Sequence, residues 1–167
     1  RSGGAMAIYV MSSVSPLLFE DTTFENNEAS FGGVLHLSNG NATFQSCSFI
    51  DNIASTLGGH LHTAAGSSNL NILDSIFNQT VLHGSGNLTA GTFYVDTEGT
   101  LYITNTSLTA TFPETNGPLV QVRNGRQVSL DNSTTLFCPK GSRMQIIHFQ
   151  GEINNQTVET VQISCSS

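Results

Sequence analysis

The chain repeats a motif. FENNEASFGG at residues 24–33 returns as FIDNIASTLGG at 49–59, with Phe, Asn, Ala-Ser and Gly-Gly in the same order. Equivalent positions lie 25 or 26 residues apart: Phe24 and Phe49, Asn27 and Asn52, Gly33 and Gly59. A period of roughly 20 to 50 residues is typical of proteins built from stacked structural units. The repeat therefore predicts a backbone that returns to the same place after each period.

Two short apolar segments recur within each period. The first is AMAIYV (5–10), VLHL (34–37), HLHT (60–63), TFYV (92–95), LVQV (119–122) and QIIHF (145–149). The second is LLFED (17–21), ATFQS (42–46), LNILD (70–74), LYITN (101–105), VSLDN (128–132) and VQISC (161–165). Short alternating segments bounded by Gly, Asn, Ser or Pro are typical of β-strands, and no stretch shows capped helical spacing. We therefore predict two strands per period and no helices.

The spacing of like residues decides between a right-handed parallel β-helix and an antiparallel sandwich. Stacked periods require similar side chains to recur in inward columns, whereas antiparallel pairing does not. One column contains Phe19, Phe44, Ile72, Ile103, Leu130 and Ile163; another contains Leu35, Leu61, Phe93 and Val120, with Leu37, Val95 and Val122 beside it. We predict an all-β fold, a right-handed single-stranded parallel β-helix (solenoid) of about six coils, each 25–32 residues long.

Charge and length limit the partners. The chain has 5 Lys and Arg against 12 Asp and Glu, a net charge of -7, which argues against nucleic acid and anionic membrane surfaces. No stretch reaches the roughly 20 apolar residues of a membrane span, so no direct membrane insertion is predicted. The chain starts Arg1-Ser2-Gly3-Gly4 and shows no capping segment at either end. We expect residues 1–167 to be one β-helix segment of a longer chain, or a unit that stacks end to end.

Six Asn-x-Ser/Thr sequons suggest a secreted glycoprotein: Asn41, Asn78, Asn87, Asn105, Asn132 and Asn155. With 15 Asn, 20 Ser and 19 Thr, chance gives roughly 3.5 sequons, so the excess is modest. Asn105 and Asn132 also belong to a column of Asp21, Ser46, Asp74, Asn105 and Asn132. Its Asp, Ser and Asn composition favours a ladder that satisfies buried backbone groups, whereas a glycan requires exposure.

Two motifs resemble the GGA(I/L/V) and FxxN repeats of chlamydial polymorphic outer membrane proteins and of related β-helical surface proteins from eukaryotic microbes. They are Gly3-Gly4-Ala5-Met6 and Gly32-Gly33-Val34-Leu35, and Phe24-Glu25-Asn26-Asn27 and Phe49-Ile50-Asp51-Asn52. The match covers residues 1–63, and later periods keep only the spacing. The resemblance implies a parallel β-helix exposed outside the cell and associated with adhesion.

The end of the chain, FCPKGS (137–142) through ISCSS (163–167), resembles the junction between a β-helix and cysteine-rich CPxG repeats in large eukaryotic surface proteins. This resemblance implies a disulfide between Cys138 and Cys165, residues 138–167 as the last coil, and more chain beyond Ser167. Such a disulfide would contribute about 3 kcal/mol. Cys47 is left over, and we predict a small, buried apolar residue beside a turn.

Histidines recur at equivalent positions. One column contains His36, His62, Tyr94, Gln121 and His148, and His60 lies two residues before His62. Neighbouring imidazoles on a strand can bind zinc or copper, but Tyr94 and Gln121 interrupt the column. We favour an outward polar column and predict no metal or other cofactor, since a metal site would need a third ligand.

Catalysis and glycan binding are the alternatives. The candidate acids are Glu20, Asp21, Asp51, Asp74, Asp96, Glu98 and Asp131, and a carbohydrate-active lyase or hydrolase needs two or three of them clustered. A glycan-binding module would use aromatic faces, but the chain has no Trp and only Tyr9, Tyr94 and Tyr102. The longest turn, residues 78–91, is the most available for recognition.

The predicted function is a non-catalytic, extracellular, structural or adhesive β-helix in a glycosylated cell-surface or fibrous protein. We expect it to self-associate or to contact neighbouring domains, glycans or cell-surface proteins. In the repeat itself, Asn27 and Asn52 are predicted to satisfy backbone groups at a turn. Gly33 and Gly59 are predicted to permit the tight entry into the next strand.

Overall fold

The computed structural model describes residues 5–8, 16–79, 92–96, 100–110, 120–123, 127–131, 133–137, 143–150, 152–153, 156–157 and 161–164. Within these ranges the chain is all-β, and its mostly parallel strands form a nearly closed sheet. The described residues contain no helix, and hence no helix long and apolar enough to span a membrane. The strands are β1 (Met6–Ile8), β2 (Leu17–Glu20), β3 (Thr23–Glu25), β4 (Glu28–Phe31), β5 (Leu35–Gln45), β6 (Ser48–Ile50), β7 (Ile53–Leu57), β8 (Leu61–Leu73), β9 (Ile76–Gln79), β10 (Phe93–Asp96), β11 (Thr100–Thr104), β12 (Ser107–Ala110), β13 (Val120–Arg123), β14 (Gln127–Leu130), β15 (Thr135–Phe137), β16 (Arg143–Gln150), β17 (Glu152–Ile153), β18 (Gln156–Thr157) and β19 (Val161–Ser164).

Strands pair with their counterparts one period away. The largest sheet has ten strands in the order β1-β5-β8-β10-β13-β16-β19, with β2 paired to β5 and β11 placed between β8 and β14. A second sheet has five strands in the order β15-β12-β9-β6-β3, and β4 pairs with β7. All of these pairs are parallel except β16 with β19. The prediction of an all-β fold with parallel strands is confirmed.

The register builds the predicted inward columns. Phe19 pairs with Phe44, Phe44 with Ile72, Ile72 with Ile103 and Ile103 with Leu130. Leu35, Leu61, Phe93 and Val120 pair in the same order. The side chains of Phe44, Leu61 and Phe93 are fully buried. The core therefore consists of like residues placed above one another.

Strands β5 and β8 each merge both predicted segments of a period. The pairing between them shifts between Ser38 and Gly40. There Asn39 and Gly40 have φ values of 66° and 143°, and the Asn39 N–H donates to Ser68 Oγ at 3.1 Å. A bulge of this kind bends a strand without ending it. The prediction of two separate strands is therefore wrong for these two periods.

The sequence pattern missed a further strand in each period, formed by the residues around the FxxN motif. Phe24 pairs with Phe49, Phe49 with Phe77 and Phe77 with Leu108. The Phe49 ring stacks on Phe24 at 5.2 Å and on Phe77 at 4.1 Å between centroids. These strands have only three or four residues, too few for alternation to be visible. The repeated Phe is thus a strand residue in a third core column.

The chain reverses direction near its end. Strand β16 pairs antiparallel with β19, and β17 pairs antiparallel with β18. Ile163 pairs with Met144, so its predicted place beside Leu130 in the first column is wrong. Only Asn154 and Asn155 separate β17 from β18 in the sequence, and short Asn-containing connections favour tight hairpins. A hairpin gives antiparallel neighbours, whereas a parallel neighbour needs a longer crossover.

The repeated glycines lie where two backbones meet. The Gly33 N–H donates to the Gly59 carbonyl at 3.0 Å, and a Cβ on Gly33 would lie 2.3 Å from that oxygen and 2.8 Å from Ile53 N. The preceding residues, Gly32 and Gly58, have φ values of 56° and 64°, a region that favours glycine. The Gly32-Gly33 pair thus combines a left-handed turn with a close approach of two backbone segments, and Gly58 provides the same left-handed turn one period later.

The change Phe49→Ala tests the third column. Because the ring is fully buried between two other phenylalanines, its loss should lower the free energy of unfolding by about 3–5 kcal/mol. Ile76→Ala, on the neighbouring strand with its side chain 53% exposed, is the control and should stay within about 0.5 kcal/mol of the parent protein. Urea unfolding followed by circular dichroism measures both. Equal losses of unfolding free energy in the two variants would contradict a core built on this column of phenylalanines.

Candidate functional site

Asn52 is the centre of a buried hydrogen-bond network. Its Oδ1 accepts from the backbone N–H of Asn27 at 3.0 Å and from Asn27 Nδ2 at 2.8 Å. Its Nδ2 donates to the Phe24 carbonyl at 2.9 Å and to His60 Nδ1 at 3.1 Å. These four bonds match the two lone pairs and two hydrogens of an amide. Asn52 therefore links two periods and orients the His60 ring.

His60 lies in the core, with its ring edge-on to Phe49 and Phe77 at 5.9 and 5.5 Å. Because Nδ1 accepts from Asn52, the proton of the neutral ring lies on Nε2, which has no hydrogen-bond partner among the described residues. Burial lowers the pKa of His60 to about 3, although the charge of Asp51 acts in the opposite direction. His60 therefore contacts Phe49, Phe77 and Asn52, whereas His62, two residues later, stacks on His36 and Tyr94.

His36 and His62 form a stacked pair under Phe31. Their ring centroids are 4.7 Å apart and their Nδ1 atoms 2.6 Å apart, so a single proton lies between the two nitrogens. The Phe31 ring lies 6.0 Å from His36 and 5.3 Å from His62, and both histidines are buried. Burial and the neighbouring His36 lower the pKa of His62 to about 3, and burial also lowers the pKa of His36. The prediction of an outward polar column is therefore wrong here.

The rest of the histidine column follows the predicted register. Tyr94 pairs with His62 and stacks on it at 5.2 Å, Gln121 pairs with Tyr94, and His148 pairs with Gln121. Within the described part of the chain, no group of three or more His, Cys, Asp or Glu side chains is arranged to hold a metal ion. His36, His60 and His62 instead pack against aromatic rings.

The predicted ladder residues lie in left-handed turns. Asp21, Ser46, Asp74 and Asn105 have φ values from 45° to 53°, and all four are exposed, so the prediction that this column is buried is wrong. The backbone N–H groups of the first three each donate to a strand-end carbonyl of the next period at 3.1 Å. The side chains add one link, from Asn105 Nδ2 to Asp74 Oδ1 at 2.7 Å. The ladder is therefore made mainly by the backbone.

The residue after each of these turns forms a second row: Thr22, Cys47, Ser75 and Thr106. The three hydroxyls donate to the carbonyl two residues earlier at 2.7–2.8 Å, and the Cys47 thiol does so at 3.4 Å. Ser75 Oγ also accepts from the Cys47 N–H at 3.1 Å. Burial raises the pKa of the Cys47 thiol. Cys47 is buried beside a turn, as predicted, and occupies a hydroxyl position.

Three sequon asparagines lie among the described residues. Asn105 is exposed, and Asn41 and Asn78 are partly exposed. The exposure of Asn105 removes the conflict between its place in the ladder and its capacity to carry a glycan. The other predicted sites lie outside the described residues: Asn87, Asn132, Asn155, Cys138 and Cys165.

The candidate acids are spread over the turns and one strand. Glu20, Asp21 and Asp74 are exposed, Asp51 and Asp131 are partly exposed, and nothing is described of the side chain of Asp96 or of Glu98. Hydrogen bonds from Ser133 and Thr134, with a further one from the backbone of Asn105, lower the pKa of Asp131 to about 2. A general acid needs the opposite shift. Asp131 is therefore suited to holding its turn.

Outward side chains of β5, β8 and β11 form a grid of three rows and three columns, which we call the amide-hydroxyl face. Its members are Asn41, Asn69 and Thr100; Thr43, Asn71 and Tyr102; and Gln45, Leu73 and Thr104. Residues between them on each strand, such as Phe44 and Ile72, are fully buried. None of the nine side chains carries a charge at neutral pH. The face is therefore an array of outward, uncharged and mostly polar groups in register.

Hydrogen bonds within the amide-hydroxyl face order its side chains. Asn69 Nδ2 donates to Asn41 Oδ1 at 2.7 Å, and Thr100 Oγ1 donates to Asn69 Oδ1 at 2.5 Å. In the second row, Asn71 Nδ2 donates to Thr43 Oγ1 at 3.3 Å. Tyr102, the member of this row on β11, is 39% exposed, and it pairs on its other side with Ser129 of β14. Sequence reasoning missed the face because it searched for charged or aromatic clusters, although the register of the columns already specifies the grid.

The other candidates for glycan contact are less accessible or lie outside the described residues. Tyr94 is buried against His62, and Tyr9 is outside the description. Of the long turn at 78–91, only Asn78 and Gln79 are described. Comparison of the sequence and structure with protein-family models, curated proteins and solved structures gives no match. The geometry therefore carries the functional argument.

The change Asn52→Ala should lower the free energy of unfolding by at least about 3 kcal/mol. It removes four hydrogen bonds and leaves the Asn27 N–H and the Phe24 carbonyl, both partly buried, without these partners. Asn26→Gly is the matched control, since Asn26 is exposed with φ of 53°, which glycine accepts readily. Chemical unfolding of both variants tests this, and a loss under 1 kcal/mol for Asn52→Ala would contradict the central role of Asn52.

Stability should fall as the pH is lowered from about 6.5 towards 3. His60 and His62 have folded pKa values of about 3 against 6.5 for a free histidine, so the unfolded chain binds protons first. Each of these two histidines should lower the free energy of unfolding by about 2 kcal/mol between pH 7 and pH 5. His62→Phe should flatten this part of the profile, measured as the urea midpoint against pH. An unchanged profile in the variant would show that His62 already titrates near 6.5 in the folded protein.

Proposed function

We propose that this chain is a segment of an extracellular, non-catalytic, structural or adhesive protein, folded as a right-handed parallel β-helix. The observation that carries the proposal is the one-period pairing, in which Phe24, Phe49 and Phe77 lie above one another. A chain that stacks in this way forms a rod, about 29 Å long for six layers at the spacing of neighbouring strands. Such a rod displays its outward side chains at regular intervals.

The turns favour an extracellular, glycosylated rod. Asn105 combines a sequon with an exposed left-handed turn, and its amide nitrogen points to Asp74 across one period. A glycan replaces one amide hydrogen, so the other can keep this bond. The resemblance of the Gly-Gly and FxxN motifs to adhesive surface repeats supports the same location. The Cys138–Cys165 disulfide and end-to-end association stay predictions.

The chemistry of the described side chains favours a structural over a catalytic role. His60 and His62 are buried and neutral, and Asp131 is held as a carboxylate by hydrogen bonds. These are the groups with the largest pKa shifts, and each shift follows from core packing or from a turn. We therefore place the function on the outward surface of the rod.

Glycan occupancy and location test the proposal. Mass spectrometry of the protein purified from its source cells should show a glycan on Asn105, since this residue is exposed. An antibody against the chain should label intact cells or the secreted fraction without permeabilisation. The Asn105→Gln variant is the control for the site and should lose one glycan without a change in location. An unglycosylated protein found only inside the cell would overturn the proposal.

A further inference from the structure

We propose that the amide-hydroxyl face binds a neutral polysaccharide. This inference rests on the adhesive role proposed above and names the ligand class for it. The face consists of outward side chains on three paired strands, of which Tyr102 and Thr104 are the most exposed. It lies on the side of the sheet opposite the buried Phe44, Ile72 and Ile103.

The absence of charged side chains among its nine members suits the face to an uncharged ligand. The nine side chains are amides, hydroxyls, one phenol and one Leu, and the described residue beside Gln45 on β2 is the carboxylate Glu20. A nucleic acid or an acidic polysaccharide needs clustered Lys or Arg, which the face lacks among its described side chains. The net charge of -7 for the chain adds repulsion of polyanions.

The chemistry of the face matches sugar hydroxyl groups. Asn and Gln side chains both donate and accept, as do Thr hydroxyls, and a sugar ring presents groups that do the same. The phenol of Tyr102 offers an apolar ring face with a polar tip, which suits the apolar side of a sugar beside its hydroxyls. The buried centre of a protein–protein interface is typically more apolar than this face, which contains one Leu and has the exposed Leu18 beside Thr43 on β2.

The face is ordered before a ligand arrives. Asn69 is held on both sides, by Asn41 and by Thr100, and Asn71 is held by Thr43. Side chains fixed in this way lose little rotamer freedom on binding. Neighbouring members of a row lie on adjacent strands about 4.8 Å apart, so the face presents similar groups repeatedly. A polymer with repeating hydroxyls can engage several rows at once, which raises its apparent affinity.

Affinity gel electrophoresis of the purified chain tests the inference. The protein is produced without N-glycosylation, so that a glycan on Asn41 does not cover the first row. The neutral probes are laminarin, xyloglucan, galactomannan and hydroxyethyl cellulose, and the acidic probes are polygalacturonate and heparin. At least one neutral polymer should retard the protein, and the acidic polymers should not.

Variants assign the binding to this face. Tyr102→Ala should weaken retardation about tenfold, and Asn71→Arg, which places a bulky cation at the centre of the grid, should do the same. Thr56→Arg adds the same charge at an exposed position on β7 and should bind like the parent protein. Thermal unfolding should show that all three variants are folded, as each changes an outward side chain.

Absence of retardation by every neutral polymer would overturn the inference. Stronger retardation by an acidic polymer, or equal binding by Asn71→Arg and Thr56→Arg, would overturn it as well. Because this assay uses purified protein, its failure leaves the surface location to be judged by glycan occupancy and antibody labelling. If the protein is intracellular and unglycosylated but binds a neutral polymer, the proposed function is overturned and the inference of a neutral polysaccharide ligand stands.

Discussion

Parallel pairing between residues one period apart is the constraint on which the rest of the structure depends. It places Phe49 between Phe24 and Phe77, and Phe44 between Phe19 and Ile72. A slip of one residue would turn every inward side chain of a strand outward, so the register is fixed by burial. Identical ring shapes then pack face to face, as the 4.1 Å separation of Phe49 and Phe77 illustrates.

The constraint tolerates changes in period length because insertions are absorbed outside the columns. Ala29 pairs with Ala54 at an offset of 25, and Phe31 with Leu57 at an offset of 26, with the register shift in between. A similar shift between Ser38 and Gly40 accommodates the longer β8. Register shifts of this kind thus take up extra residues while the core residues remain stacked. This explains why a chain with uneven spacing still builds continuous columns.

The columns could be predicted from the sequence because residues one period apart pack against one another and are therefore similar in size and polarity. Asn52 was predicted as a residue that satisfies backbone groups at a turn, but its contact with His60 depends on two segments whose relation only the folded chain specifies. The burial of His36 and His62 depends on Phe31, a residue outside the column, and so no pattern within the column could reveal it. The short FxxN strands were missed because three or four residues carry no visible period. The predicted position of Ile163 beside Leu130 was wrong because the chain reverses direction at β17 and β18 without any change in its apolar pattern.

The same register that builds the core also builds the outward face, and this links fold to function. Because Phe44 lies above Ile72, the neighbouring Thr43 must lie above Asn71, and Tyr102 follows in the same row. An inward substitution therefore disturbs the spacing of the outward grid, whereas an outward substitution leaves the core intact. Outward residues such as Asn71 can therefore change without a cost to the columns beneath them. A stacked chain of this kind separates the residues that hold its shape from those that face outward, although the two alternate along every strand.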